Sequence, residues 1–441
     1  MTISRRRFLR NGALAGATLA VPGPLQRALF APLEAGASGV VDPILVVVQL
    51  EGGNDGLNTV IPVDGAQRTA YAAARPSLQI SVADLAATTL DDPDPTWGNA
   101  LALHPSMGGL KGLYDAGKVA ILNGVAYPSQ SLSHFRSEDI WFSADPLGPF
   151  SDGWFGRYLD DFYDPTDLVT VDVDDTLSKM FFSGGGANVL AVRALSQFAL
   201  PDDPLYPDAA AKKAALEAVY AVEADPGQTS GLQNSVGISG EVLLSKMDEY
   251  DAVDTHWGAA LDDVPGQLAQ RLAEAASIIR HDAVSGSPVG ARYFHVRLGG
   301  FDTHTNQGTL AGRQASLLTQ VSECLTAFYT DLQSINVEAG ENVSERVLTL
   351  TFSEFGRRIA ENGSGGTDHG QASVLFAMGD SVNGGIYGGI PSIAAPNSVG
   401  NLVHHTDFRQ VYATIIDNWL ATAGTHTSLI PNGPFTTLGF L

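Results

Sequence analysis

The chain has 441 residues, 44% of them hydrophobic, and a formal net charge of −23. That is enough apolar material for one large core, and the acidic surface repels nucleic acid and anionic membrane, which excludes both as partners by simple electrostatics. A single cysteine, Cys324, excludes any intrachain disulfide.

The first element is a leader. Ser4-Arg-Arg-Arg7-Phe8-Leu9-Arg10 carries the twin-arginine export pattern, a mildly apolar run follows from Gly12 to Val21, and Ala35-Gly36-Ala37 offers a small-residue cleavage site. Residues 1–37 are therefore expected to be a signal peptide read by the twin-arginine translocase. The mature protein, 38–441, is expected in the periplasm or outside the cell. No later run is long enough to span a bilayer, so stable membrane insertion is not expected.

Apolar runs then mark strands at Ile44–Leu50, Val119–Asn123, Tyr293–Leu298, Val347–Phe352 and Val374–Met378. Several are continuous, as a sheet covered on both faces requires. Helix-period stretches fall at 107–116, 267–281, 310–332 and 408–420. Alternation of the two predicts an α/β fold, a mainly parallel sheet sandwiched by helices. Residues from about 165 to 260 differ: acidic and Pro-rich turns and an alanine-rich helix predict an inserted, mostly helical lobe.

Polar residues cluster after the strands. Asp55 lies in Glu51-Gly-Gly-Asn-Asp-Gly56, Ser133 and His134 in Ser131-Leu-Ser-His-Phe-Arg136, Asp302 and His304 in Gly299-Gly-Phe-Asp-Thr-His304. Glu354, Arg357 and Arg358 follow in Ser353-Glu-Phe-Gly-Arg-Arg358, and Asp368 and His369 in Gly365-Gly-Thr-Asp-His-Gly370. Ligands of open parallel sheets bind beyond the carboxyl ends of the strands. Asp55, Asp302, Glu354 and Asp368 crowded there would repel one another unless a divalent cation intervened. With His304 and His369 they make a candidate metal set, and imidazole favours zinc, manganese or iron over an all-oxygen site. Ser133 reads as a helix N-cap or a nucleophile, His134 as an acid or base, and Arg357 or Arg358 as an oxyanion partner. His104, His256, His281, His295 and His426 carry no such pattern and are expected to be structural.

Together LEGGNDGLNTVIP, SHFRSEDIW, FDTHTNQ, LTFSEFGRRIAENGSGGTDHG and TDFRQVYATIIDNWL resemble the domain-of-unknown-function 1501 family, which itself resembles the alkaline phosphatase and sulfatase superfamily. The resemblance implies an alkaline phosphatase-like core holding one or two divalent ions (zinc, manganese, calcium or magnesium). It implies Asp55 as the acid after the first strand, Ser133 as nucleophile, Asp302 and His304 on one metal, and Asp368 and His369 nearby. Phe355 stands where the superfamily often has histidine, and the formylglycine signature of sulfatases is absent around Ser133. The expected activity is metal-dependent hydrolysis of an anionic small-molecule or polysaccharide ester, phosphate or sulfate. The alternative is an exported binding or assembly protein keeping a degenerate metal site.

Overall fold

The computed structural model describes residues 40–200, 208–224 and 231–441; the leader expected at 1–37 lies outside the described residues. Among the described residues, nine strands form one central sheet. They are β1 (Ile44–Glu51), β2 (Val119–Ala126), β3 (Thr170–Asp172), β4 (Leu190–Ala191), β5 (Tyr293–Gly299), β6 (Val347–Phe352), β7 (Ser373–Met378), β8 (Gly385–Tyr387) and β9 (Thr406–Asp407). Their order is β8-β2-β7-β6-β1-β5-β3-β4, with β9 also on β2. Every pairing is parallel except those of β7, which runs antiparallel to β2 and β6. The reason is local. The chain leaves β6 and returns as β7 without a crossover helix, and a parallel return needs one.

Both faces are covered, which is why β1 is apolar along nearly its whole length. Ile44, Val46, Val48 and Leu50 enter one core with α2 (Gly108–Asp115), α7 (Gln267–Val284) and α8 (Arg313–Ala339). Leu45 and Val47 enter the other, with α3 (His134–Ser143), α4 (Trp154–Phe162) and α9 (Phe408–Ile415); α1 is Gly65–Ala74. On α8 the buried Leu317, Leu318, Val321, Cys324, Leu325, Phe328, Leu332 and Ile335 recur at helical spacing, and Gly340 ends the helix with φ 69°. Cys324 is one of these core residues, and burial pushes its thiol up to about 12, so it is inert packing. The helix expected over 408–420 is α-helical only to Ile415 and closes with a wider π turn, Ile416–Leu420.

The segment at 165–260 contains more than helix. It first supplies β3 and β4, the sheet's edge on the β5 side. Only then come α5 (Ala209–Glu223) and α6 (Gly231–Asp251), which pack on each other. Strands of two and three residues are too short to leave a periodic signature. No helix of the described residues is long and apolar enough to cross a membrane.

Candidate metal centre

The loops beyond β1, β5 and β6 meet at the carboxyl end of the sheet, and one buried side chain ties them together. Arg357, 1% exposed, donates from Nε to Gly53 O (2.7 Å), from Nη1 to Thr367 O (2.8 Å), and from Nη2 to Gly52 O, Phe301 O (3.0 Å) and Asp302 Oδ1 (2.7 Å). The backbone approach is close enough to demand glycine. Gly52 has φ 120° and a Cβ there would lie 2.4 Å from Asp302 N; Gly53 has φ 83° and its Cβ would lie 2.4 Å from the Phe355 ring. Glu354, fully buried, accepts the Gly52 N–H at 2.9 Å, and Ser353 Oγ accepts that of Asn54 at 2.9 Å.

Three imidazoles stand on this platform, each fixed through Nδ1. His134 opens α3, and its Nδ1 donates to Glu354 Oε1 at 2.7 Å. His304 Nδ1 faces Asp368 Oδ1 at 3.3 Å. His369 Nδ1 donates to the Leu132 carbonyl at 2.8 Å. Each Nε2 then turns toward Asp302: His304 and His369 lie 3.1 Å from its Oδ1, and His134 lies 3.7 Å from its Oδ2. Ligand atoms of His134, Asp302 and His369 all fall within 4.8 Å of one another. His304 Nε2 is 2.9 Å from His369 Nε2. With both Nδ1 hydrogens committed to acceptors, those two nitrogens oppose lone pairs. A cation between them removes the repulsion. An Nδ1 anchor with Nε2 free is also the arrangement of metal-bound histidine. The residues present therefore fit a divalent ion, with His134, Asp302, His304 and His369 as its holders. Three nitrogens and one carboxylate suit zinc, manganese or iron better than calcium, which takes six to eight oxygens.

The surrounding charges are consistent with that geometry. Burial alone would raise the Asp302 carboxyl, but the hydrogen bond from the Arg357 guanidinium and its charge hold it below the usual range. The Glu354 hydrogen bond raises His134 against a desolvation that lowers it. Desolvation lowers His369, in the direction that favours the neutral ring a metal needs. Asn362, donating to Asp368 at 3.0 Å, is the first cause of that carboxyl's lowered value.

Several expected roles change. Asp55 does not join the cluster: it is buried, and Arg75 takes both its oxygens at 2.6 and 2.9 Å while Gln307 Nε2 adds a third bond. An anion already matched by a buried guanidinium has no pair left for a metal. Glu354 and Asp368 orient histidines instead of turning toward Asp302. Arg357 is buried and all three of its guanidinium nitrogens bond protein acceptors, so it braces the loops and is not open to a substrate oxyanion. His134, expected as an acid or base, stands among the ligand atoms. Ser133 is the N-cap of α3, exposed, and makes no capping bond. It sits between Leu132 and His134, which both touch the cluster. Phe355 is buried against both His134 and His369, with ring centroids at 4.8 and 4.5 Å, and the two imidazoles also meet edge-on at 4.5 Å. Sequence reasoning missed Arg75, Gln307 and Asn362, of which the last two had a visible signal, in the motifs FDTHTNQ and AENGSGGTDHG.

The family described as "Protein of unknown function (DUF1501)" matches residues 283–419, a stretch that holds Asp302, His304, Glu354, Arg357, Asp368 and His369. No curated protein matches the chain. Among solved structures it is similar to an alkaline phosphatase superfamily protein from Vibrio parahaemolyticus, at 8% identity and TM-score 0.35 over 88% of this chain and 72% of that one. It is similar to the sulfatase PsFucS1 from Pseudoalteromonas sp., at 11% identity and TM-score 0.35 over 95% and 78%. The lipoteichoic acid synthase LtaP from Listeria monocytogenes gives 10% identity and TM-score 0.31 over 84% and 74%. With scores this low, the chemistry of the site rests on its own geometry. Over residues 283–419, the stretch that supplies Asp302, His304 and His369, the chain matches DUF1501, the family its motifs resemble.

Proposed function

We propose that the chain is an exported, metal-dependent hydrolase of phosphate or sulfate esters. One observation carries the reading: three imidazoles from separate segments, each held by Nδ1, turn Nε2 toward the Asp302 carboxylate. A divalent ion bound there supplies Lewis-acid polarisation of an ester oxygen and lowers the pKa of a nearby hydroxyl.

The chain's own groups supply the rest. Ser133 is the nucleophile we assign, because its hydroxyl is exposed and makes no capping bond beside the cluster. It stands at the N-terminus of the ten-residue α3, whose first N–H groups favour an anion. Arg358 is exposed, and its charge reaches Asp368; it replaces Arg357 as the cation for a substrate oxyanion. These features give an anionic ester a local positive field on a chain that otherwise repels it. Glu354 and Asp368 keep two ligands in the productive tautomer.

A second reading has its own support. Asp55 is sealed by Arg75, and Phe355 packs against both His134 and His369 where a further ligand would stand. Both favour a one-ion site, compatible with an exported protein that keeps its metal for binding alone.

The test is metal analysis of chain purified without chelator, followed by a panel of phosphate and sulfate monoesters. About one zinc, manganese or iron per chain, with turnover lost in Ser133→Ala but metal kept, supports the hydrolase. Metal without turnover across the panel leaves the binding protein. A folded chain that takes up no metal after resupply sinks both. For export, a Lys-Lys replacement of Arg5 and Arg6 should retain the full-length chain in the cytoplasm; unchanged export would remove that part of the proposal.

A further inference from the structure

A second polar site lies beside the metal centre, under the same helix. Three histidines outside the cluster are deeply buried, and two of them are fully satisfied. His104 accepts the Ser106 N–H and meets Thr309 O at 2.9 Å. His426 bonds Asp417 at 2.7 Å and accepts the Phe435 N–H. His295, on β5 and 2% exposed, differs. Its Nδ1 donates to Asp172 Oδ1 at 2.8 Å, and the other Asp172 oxygen accepts the Ser178 N–H. Its Nε2 has no partner among the described residues. With the hydrogen on Nδ1, the neutral ring presents a buried lone pair. Leaving such an atom unpaired costs about 1–3 kcal/mol.

That ring lines a half-open cleft of about 140 Å³. The cleft has an apolar side, with Phe142 and Leu177, and a polar side with Gln49, Glu138 and Arg297. The formal charges around it are already matched. Asp174 is bound by Arg271 at 3.0 Å and Arg297 at 2.7 Å, and Lys179 by Asp139 at 2.6 Å. Glu138 accepts from Gln49 at 2.9 Å, and burial, chiefly, pushes its carboxyl up to about 7. What remains for a ligand is the His295 nitrogen, the part-buried Glu138 carboxyl and an apolar wall. An apolar cavity of ~150 Å³ holds one benzene ring, so the space suits a group of that scale.

We propose that this cleft is a binding subsite for a neutral, hydroxyl-bearing organic group about the size of one six-membered ring, its hydroxyl donating to His295 Nε2. The subsite adjoins the metal centre: Glu138 follows His134 by one turn of α3 and so shares its face. Resting on the hydrolase reading above, the subsite would hold the alcohol part of an ester whose anionic end reaches the cluster.

The experiment uses the full chain and two neutral probes, methyl glucoside and myo-inositol, followed by calorimetry and by 15N spectra of histidine-labelled protein. The His295→Asn variant keeps an amide donor toward Asp172 and removes the Nε2 acceptor. Leu177→Trp blocks the cleft from its rim and leaves the dyad intact, so it remains informative if the first variant misfolds. At least one probe is expected to bind the wild type, to shift the His295 Nε2 resonance, and to bind tenfold or more weakly in each folded variant. Binding should persist in His369→Ala, since neutral probes need no metal. If neither probe binds, or Leu177→Trp binds as well as wild type, the cleft holds water only and the proposal is overturned. The two readings fail separately. Probe binding without ester turnover removes the hydrolase and keeps the subsite; ester turnover with an unchanged KM in Leu177→Trp does the reverse.

Discussion

Asp55 and Asp302 each follow a central strand, and each meets an arginine, yet the two carboxylates do different work. Asp55 and Arg75 are sealed, with side chains 1% and 0% exposed, and every Asp55 oxygen is spent on Arg75 or Gln307. Asp302 keeps 46% of its side chain exposed, and its Oδ1 faces Arg357 and two imidazoles at once. The same residue type is a structural pin where burial demands full neutralisation and an available ligand where solvent shares the load. The difference comes from depth, not from motif.

The sharpest way to break that contrast is at Arg75. Arg75→Met strands the Asp55 carboxylate in the core and should cost about 3–5 kcal/mol of unfolding free energy, read from urea melts, with part of the loss recovered by adding Asp55→Asn. On the open side the effect should fall on metal instead. His304→Ala/His369→Ala should lower metal affinity by roughly three orders of magnitude, or about 4 kcal/mol, while the stability of the metal-free chain moves by less than about 1 kcal/mol. Chelator competition and matched melts check both; a large apo destabilisation would place these histidines with Asp55. A smaller effect is expected at Asp368→Asn, which should weaken metal binding by about 10–100-fold by loosening the His304 ring.

The smallest effect belongs to Glu138, which lies between the two depths. Burial first, then the Glu354 and Glu51 charges, raise its carboxyl from 4.5 to about 7. Between those values the folded chain holds a proton that the unfolded chain has released. Stability therefore falls as pH rises through that window. Partial solvent screening limits the effect to about 1 kcal/mol. Glu138→Gln should flatten the slope between pH 5 and 8; an unchanged slope would assign it to another group.

The fold was legible because its main strands and helices carry their own periodicity. Five predicted strands and four predicted helices appear in their expected places, most within three residues of the expected bounds, though α8 runs on to Ala339 and α9 stops at Ile415. The reversal of β7 was not legible, since direction depends on how the chain returns from β6. The edge strands β3 and β4 were too short to show. At the site, the convergence of Asp302, His304 and His369 followed from the rule that strand-end loops meet. Which carboxylate faces a metal and which merely holds a ring did not follow, because it depends on rotamers fixed by distant partners. Arg75 reaches Asp55 from the end of α1 without any motif, and His295, read as structural, shows its unpaired nitrogen only once Asp172 is seen to occupy the other.

The three histidines have one more consequence, for the unfolded chain. His304 and His369 are 65 residues apart, and the Glu354 that holds His134 is 220 residues from it. An ion shared by these rings closes very long loops, and the entropy it removes from the denatured ensemble grows with the logarithm of their length. In a chain with one cysteine, such an ion would act as the cross-link that no disulfide can provide, and protease resistance should rise and fall with metal loading.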